Sequence, residues 1–267
     1  MAVNKYQKII TPFLMGQRRN GLLRLQSLSS DNWKIVDVPG FTEAEIKDVD
    51  IKMERMGKIY LDLSEQIKIS VENNLIPISF AGDCVSTLGV LAGLQKAGKN
   101  PDRLLWLDAH GDFHTWETSQ TRYIGGMPLA MLVGRGDQRI VNMVGLKPYP
   151  ENKIILSDAR DLDFGEKETI ESSKVVRCNI KDILKYISQE ESVYLHFDTD
   201  VVSAEEEMPA LKYHVKSGPT YSELEDLFKS LKNINIIAIS ISAWHDEKDL
   251  NNKTAKACLN LLKNLKN

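Results

Sequence analysis

The chain has 267 residues, of which 42% are hydrophobic and 27% are charged, and its formal net charge is −3. This composition is typical of a globular protein with one sizeable core, so we expect a single domain over residues 1–267. The charge balance argues against a nucleic-acid partner, and no apolar stretch reaches the roughly 18 residues of a membrane-spanning helix. Three scattered cysteines indicate a reducing compartment, and the cytoplasm is the expected location.

Short apolar runs alternate with helical patterns along the chain. The first two predicted strands are KIITPF and WKIVDV. A helical pattern then begins at Thr42, with Glu45 at the spacing of a capping box, and extends to about Asn74. After it come, in chain order, the strand LIPISFAG, a helix over 85–97, the strands RLLWLDA, KIILSDA, KVVRCN and SVYLHFD, a helix over 221–231, the strand NIIAISIS and a last helix over 253–265.

The predicted strands share one property: their apolar runs are continuous rather than alternating. Continuous runs are typical of strands that are covered on both faces. Strands separated by helices favour parallel pairing, because a parallel connection has to cross over the sheet. The sequence therefore predicts an α/β protein of three layers (αβα) with a mostly parallel sheet.

Ionisable side chains are concentrated at the carboxyl ends of two predicted strands, where ligands of such sheets bind. Asp108, His110 and Asp112 alternate after one strand, and Asp198 and Asp200 follow another. Residues two apart in an extended segment point the same way, so each set is expected to converge. Packed carboxylates repel one another unless a cation compensates, and this donor set suits Mn²⁺ or Fe²⁺. We therefore predict a divalent metal site.

Other residues near these strand ends are interpreted as structural. Asp83 is expected to hold the turn before the next helix, and Asp158 to cap a helix or bind backbone in a turn. Trp106 is expected to pack in the core. His196, two residues before Asp198, is a candidate to support that ligand.

Five segments resemble signatures of the ureohydrolase family, which comprises arginase, agmatinase and their relatives. AGDCVSTLG is similar to the G-G-D-H-S turn of that family, WLDAHGDFH to its D-A-H-x-D signature and LHFDTDVVSA to its S-F-D-x-D-x-x-D-P strand. ARDLDFGE and GPTYSELEDL resemble two further segments, and all five occur in the family order. The chain is thus identified as a divergent member. The resemblance implies an arginase-like α/β fold, two metal ions, usually manganese, and a homo-oligomer, a trimer or hexamer.

The resemblance also implies roles for individual residues. Five of the six metal ligands of the family are matched by Asp108, His110, Asp112, Asp198 and Asp200. The sixth ligand in arginase is a histidine, and Cys84 stands at that position. A cysteine ligand would shift the preference toward Zn²⁺ or Fe²⁺, whereas a buried, non-ligating cysteine would leave one metal position weak. Asp112 and Asp198 are the expected bridging ligands.

Catalytic and substrate-binding roles follow from the same resemblance. The catalytic candidates are Asp112, which would pass a proton to the leaving nitrogen, and His110. The substrate-binding candidates are His114, Asp163 and Glu166. Besides Cys84, three further places depart from the family. Val201, Ser203 and Ala204 replace the glycine and D-P residues of the family strand. Gly125 stands where a proton-shuttling histidine is expected, and Ala243 stands where arginase has a glutamate that binds the guanidinium group. Since a guanidinium cation normally requires a carboxylate partner, L-arginine is a doubtful substrate.

The expected function is that of a metal-dependent hydrolase. Its substrate would be a small molecule with a guanidino, amidino or related amide group, and a metal-bound hydroxide would cleave the C–N bond. The alternative is a protein of the same fold that has lost turnover and serves as an oligomeric or regulatory subunit. Deacetylase chemistry with a single Zn²⁺ is a third hypothesis, which depends on analogy of fold alone.

Overall fold

The computed structural model describes residues 5–206, 208–243 and 245–265. Within these ranges the strands are β1 Tyr6–Thr11, β2 Phe13–Leu14, β3 Gln17–Arg18, β4 Trp33–Ile35, β5 Ile76–Ala81, β6 Arg103–Asp108, β7 Ile154–Asp158, β8 Val176–Arg177, β9 Ser192–Asp198 and β10 Asn235–Ser242. The α-helices are α1 Val49–Glu72, α2 Thr87–Lys96, α3 Pro128–Leu132, α4 Arg139–Val144, α5 Glu166–Glu171, α6 Tyr221–Ser230 and α7 Lys253–Asn264. None of the described helices is both long and apolar enough to cross a membrane.

In the described chain, eight strands form one sheet in the order β4-β1-β5-β10-β9-β6-β7-β8. Every neighbouring pair in this sheet is parallel. These eight strands are the eight predicted from the apolar runs, so the prediction of a parallel sheet is confirmed. β2 and β3 form a separate antiparallel hairpin.

The sheet separates two apolar cores, and this confirms the three-layer prediction. Along β6, Leu104 and Trp106 belong to the core on one face, and Leu105 and Leu107 belong to the core on the other. This alternation follows from the period of two in a strand. Helices α1 to α4 cover the first face, and α6 and α7 cover the second.

Helix α1 begins seven residues later than the capping-box pattern predicts, so the prediction of a start at Thr42 is wrong. Its N-cap is Asp48, whose side chain accepts a hydrogen bond of 2.9 Å from the Ile51 amide. Thr42 instead accepts a hydrogen bond of 3.4 Å from the Ala44 amide in the preceding segment. Both residues can cap, and the helix starts at the acidic cap nearer to the buried face.

The predicted strands shorten where the chain cannot continue the sheet. Pro12 has no amide hydrogen, and β1 ends at Thr11. The next two residues, Phe13–Leu14, pair instead with Gln17–Arg18. The edge strands β4 and β8 have three and two residues, because each pairs on one side only.

Candidate metal centre

Four strands are adjacent in the sheet and have their carboxyl ends on the same side of it: β5, β10, β9 and β6. Cys84 lies just beyond β5, Ala243 follows β10, and Asp198 and Asp108 are the last residues of β9 and β6. Parallel pairing of these strands brings residues from distant parts of the chain together. This side of the sheet therefore carries the predicted metal ligands.

Asp108, His110 and Asp200 form the first donor group. Their ligand atoms lie within 4.8 Å of one another. His110 Nδ1 is 3.3 Å from Asp108 Oδ1 and 3.5 Å from Asp200 Oδ1. Asp108 is oriented by two donors, since the His110 amide bonds its Oδ1 at 2.8 Å and the Trp106 indole N–H bonds its Oδ2 at 3.0 Å. Trp106 is thus more than core packing: it fixes a candidate ligand.

Cys84 belongs to two further donor groups. One contains Asp108 and Asp112, the other contains His196 and Asp198, and in each the ligand atoms lie within 4.8 Å. The Cys84 sulfur lies 2.6 Å from Asp198 Oδ2. His196 Nδ1 lies 2.8 Å from the Ser240 hydroxyl, and its Nε2 has no hydrogen-bond partner among the described residues. The six predicted ligands therefore lie together, and His196 is close enough to join them.

The carboxylate shared by two of these groups is Asp108. It appears with His110 and Asp200 and again with Cys84 and Asp112. Asp112 and Asp198, the expected bridging ligands, each occur in one group, Asp112 with Cys84 and Asp108, and Asp198 with Cys84 and His196. Asp112 lies beyond the end of β6 and has a left-handed backbone (φ +51°). The alternation of side-chain directions along the strand therefore does not set the direction of its carboxylate.

The electrostatics of the cluster favour a cation. Burial and neighbouring carboxylates raise the pKa of Asp108, Asp112 and Asp198. Burial favours the neutral form of His110, but Asp108 and Asp200 outweigh it and raise its pKa to about 12. The carboxylates therefore favour positive charge at this place, which a divalent ion would also supply.

Unsatisfied oxygens test whether these residues fit a metal ion. Asp112 Oδ2 is buried and has no hydrogen-bond partner in the described structure, and buried Asp200 Oδ1 has only the His110 ring nitrogen at 3.5 Å. Buried carboxylate oxygens are rarely left unpaired, because desolvation costs free energy that a hydrogen bond or a cation must offset. Oxygen atoms, one imidazole and one sulfur are a donor set that a divalent transition metal accepts. These side chains therefore fit a divalent metal ion.

A cavity of about 520 Å³ opens above the cluster. Its lining includes the predicted substrate-binding residues His114, Asp163 and Glu166. His114 is buried, with Nδ1 3.0 Å from the Thr118 hydroxyl and Nε2 3.5 Å from Asp163 Oδ2. Glu166 is also buried and accepts a hydrogen bond of 2.9 Å from the Phe113 amide. Asp163 is at the rim, with 72% of its side chain exposed.

Gly125 and Ala243, which both depart from the family, face the same cavity. A β-carbon at Gly125 would lie 2.2 Å from Cε1 of Tyr123, so the Tyr123 ring occupies the space beside this glycine. Ala243 is buried and has a left-handed backbone with φ +67°. Neither position supplies an ionisable side chain to the cavity.

The two structural aspartates have identifiable partners. Buried Asp83 accepts a hydrogen bond of 2.8 Å from the Met15 amide and another from the Tyr60 hydroxyl. It thus ties the hairpin to α1. Asp158 instead accepts a hydrogen bond of 2.6 Å from the Arg160 guanidinium, so the expectation that it caps a helix or binds backbone is wrong for the described residues.

Sequence reasoning missed one charged residue of the cavity, Lys212. It lies in the segment between β9 and α6, which has no periodic pattern, and its neighbours Tyr123 and Tyr213 also line the cavity. For Trp106 and His196 a signal existed, since each stands two residues before a candidate ligand on the same strand.

Comparison with known proteins gives consistent results. The arginase family model matches residues 18–266. The arginase of Bacillus subtilis (strain 168) is 32% identical over 221 residues, which cover 76% of this chain and 73% of that protein. The structure of the arginase from Bacillus caldovelox is similar with a TM-score of 0.81 at 24% identity, over 98% of both chains. The formimidoylglutamase of Bacillus subtilis has a TM-score of 0.72 at 14% identity, over 99% of this chain and 87% of that one.

Proposed function

This chain belongs to the arginase family of metal-dependent hydrolases, which act on guanidino and amidino C–N bonds, and from that premise we propose that it uses two divalent ions to hydrolyse a substrate other than L-arginine. The observation that supports the proposal most strongly is the convergence of acidic donors from two chain segments with a cysteine from a third. Five carboxylate and imidazole donors and one thiol meet at one edge of the sheet. Without cations, this much buried negative charge would destabilise the fold.

The proposed ligands divide between two ions. Asp108, His110 and Asp200 would hold one, and Cys84, Asp108 and Asp112 would hold the other. Asp198 lies beside both groups, since its Oδ2 is 2.6 Å from the Cys84 sulfur and its Oδ1 accepts the Asp200 amide at 2.9 Å. Mn²⁺ is the proposed metal by family resemblance, with Zn²⁺ or Fe²⁺ as alternatives because of the sulfur. Divalent ions in such a site supply Lewis acidity and lower the pKa of water.

The protein's own groups position the substrate and move the proton. By resemblance to the family, Asp112, which lines the cavity, would pass a proton to the leaving nitrogen. His114 and Asp163, 3.5 Å apart, face the substrate at the rim of the cavity. Glu166 holds the Phe113 amide, so it shapes the wall that carries His114.

Ala243 is the reason for excluding L-arginine. A guanidinium cation is normally recognised by a bidentate carboxylate, and its burial without one is costly. The end of β10 offers a methyl group at this position. The substrate is therefore a guanidino, amidino or amide compound whose reacting group does not depend on a carboxylate there.

A screen for urea and ammonia release tests this function. Guanidino, amidino and amide compounds would be incubated with protein loaded with Mn²⁺, Fe²⁺ or Zn²⁺, and with metal-free protein as the control. We expect metal-dependent release from at least one compound and little from L-arginine. Rapid turnover of L-arginine alone would contradict our interpretation of Ala243.

The second candidate is a protein of this family without turnover, and Gly125 and Ala243 favour it, because both lack the expected functional side chain. It would act as an oligomeric or regulatory subunit. Metal binding distinguishes the two: a protein that binds no divalent ions would support the second candidate. For either candidate we propose a cytoplasmic homo-oligomer, a trimer or hexamer, on the basis of the family resemblance.

A further inference from the structure

Lys212 is a positively charged residue on the wall of the cavity, and the proposed reaction does not use it. Its side chain lines the cavity together with Cys84, Asp112 and Ala243. The cavity wall thus lacks a carboxylate at the end of β10 and carries an ammonium group on the neighbouring segment. This is the opposite of the charge that a guanidinium cation requires.

Two aromatic rings hold the ammonium group in place. Lys212 Nζ lies 4.0 Å from the centre of the Tyr123 ring and 5.4 Å from the centre of the Tyr213 ring. Contacts of this length between a cation and an aromatic face are attractive. The Tyr123 ring in turn fills the space beside Gly125. The ring that contacts Lys212 therefore occupies the space beside Gly125, one of the positions that depart from the family.

The backbone of the Lys212 segment is also fixed. The His245 amide donates a hydrogen bond of 2.7 Å to the carbonyl of Ala210, which links the segment to the end of β10. Arg160 donates hydrogen bonds of 3.0 Å to the carbonyls of Val215 and Lys216. Backbone hydrogen bonds thus hold the segment both before and after Lys212.

Lys212 has no ion-pair partner within 4.0 Å among residues 5–206, 208–243 and 245–265. The charges of Asp83 and Asp112 act on it from a greater distance and oppose the effect of burial, which lowers its pKa. Close by, the Tyr123 hydroxyl is buried and has no hydrogen-bond partner within the same ranges. Two polar groups on one wall of the cavity are therefore available to a ligand.

We infer that Lys212 is a specificity-determining residue that binds an anionic group of the substrate, such as a carboxylate, and repels cationic groups from this wall. The Tyr123 hydroxyl donates a second hydrogen bond to the same anionic group. This inference deepens the proposed function and rests on it, because it names the substrate class as one that carries an anionic group next to the C–N bond to be cleaved.

Acetate and acetamidinium are suitable probes because they have the same planar shape and opposite charge. Their dissociation constants would be measured by isothermal titration calorimetry on the metal-loaded protein. The variants are Lys212→Met and Lys212→Gln, which remove the charge, and Lys212→Arg, which keeps it. Lys216→Met is the matched control, since Lys216 is an exposed lysine of the same segment. Thermal unfolding of each variant shows that it is folded.

The wild-type protein is expected to prefer acetate, and the ratio of the two dissociation constants is the readout. Loss of a hydrogen bond between charged groups predicts that Lys212→Met and Lys212→Gln reduce this preference by roughly tenfold or more. Lys212→Arg should retain most of it, and Lys216→Met all of it. A lysine that only neutralises the acidic cluster would leave the ratio unchanged.

The inference is overturned if the ratio is the same in wild type and Lys212→Met, or if the wild-type protein binds acetate no better than acetamidinium or binds neither. Its failure is distinguishable from failure of the proposed function. Metal-dependent hydrolysis with an unchanged ratio would refute the role of Lys212 alone. A Lys212-dependent ratio without hydrolysis of any compound would refute the hydrolase proposal alone.

Discussion

The sulfur of Cys84 lies 2.6 Å from Oδ2 of Asp198 and connects the ends of β5 and β9 across the end of β10. Both side chains are buried, and the Ser242 hydroxyl of β10 is 3.2 Å from the same sulfur. Burial and the neighbouring carboxylates raise the pKa of the Cys84 thiol. A divalent ion would have to displace this proton before the sulfur could bind it, so the residue at position 84 determines which metals bind well.

Replacement of Cys84 by histidine tests this point. Imidazole is a harder ligand than a thiol, and its ordinary pKa lies well below that of the buried Cys84 thiol, so Cys84→His is expected to tighten Mn²⁺ binding on the order of tenfold, or about 1.4 kcal/mol. The measurement is metal content after equilibrium dialysis over a range of Mn²⁺ concentrations. Cys178→Ser, which changes a cysteine away from the cavity, is the control. Unchanged Mn²⁺ binding in Cys84→His would show that position 84 does not touch the ion.

Asp108 is the carboxylate common to two donor groups, so its loss should affect both ions. Asp108→Asn is expected to reduce the bound metal from about two equivalents per chain to less than one, and hydrolysis by roughly a thousandfold. Asp161→Asn is the matched control, because Asp161 lines the same cavity with 62% of its side chain exposed and reaches the metal site only through a 3.9 Å contact with His110 Nε2. Equal metal loss in both variants would indicate a general effect of charge rather than ligation by Asp108.

The indole of Trp106 orients Asp108, and Trp106→Phe removes this donor. Loss of a hydrogen bond to a metal ligand typically weakens metal binding by roughly 10- to 100-fold, and we expect an effect of this size. The measurement is the metal dissociation constant, with thermal unfolding of the metal-free protein recorded separately. Leu105→Val, on the other face of the same strand, is the control for a reduced core volume. An unchanged dissociation constant in Trp106→Phe would contradict the orienting role.

Asp137 supports the loop beside the cavity and gives a pH-dependent prediction. Its carboxylate accepts 2.8 Å and 2.9 Å hydrogen bonds from the Trp116 indole and the Arg139 amide. Burial opposes ionisation, but bonds from Arg139 and Trp116 outweigh it and hold the pKa of Asp137 below its usual value. A lowered folded-state pKa stabilises the protein above the unfolded-state value of about 3.9, and this stabilisation is lost as the pH falls through the folded-state value.

Asp137→Asn is therefore expected to lower the free energy of unfolding by about 1 kcal/mol at pH 7, and by less at pH 3. Urea unfolding at the two pH values measures this difference. Asp50→Asn is the matched control, since Asp50 pairs with the same Arg139 but has 85% of its side chain exposed. Exposed pairs contribute little, so this control should change stability only slightly. A loss in Asp137→Asn that is equal or larger at pH 3 would contradict the prediction.

The sheet was predictable because the apolar run of each strand is a local signal. The ends of strands and the starts of helices were less predictable. Thr42 and Asp48 can both cap a helix, and the packing of the buried face of α1 determines that the helix starts after Asp48. The spacing of two residues predicted that Asp108 meets His110 and that Asp198 meets Asp200. Asp108 and His110 do share a donor group, and this part of the site required no knowledge of the sheet order. Asp200 instead lies in a short 3-10 helix after β9 and joins the group of Asp108 and His110.

The remaining features of the site depend on how strands and segments pair. Leu107 of β6 pairs with Phe197 of β9, and this register sets the positions of Asp108 and Asp198 at the end of the sheet. The sequence does not contain this register, so the shared position of Asp108 was not foreseen. Lys212 and Tyr123 lie in two different irregular segments, and the contact between them is set by tertiary packing. Contacts between irregular segments have no periodic signature.

We propose that acidic groups from separate segments bind two divalent ions at the carboxyl ends of the strands. The most direct test is the metal content per chain, measured by mass spectrometry after loading the purified protein with Mn²⁺ or Zn²⁺ and removing unbound ions. About two equivalents per chain are expected. A protein that retains no divalent ion after loading with either metal would contradict the proposal.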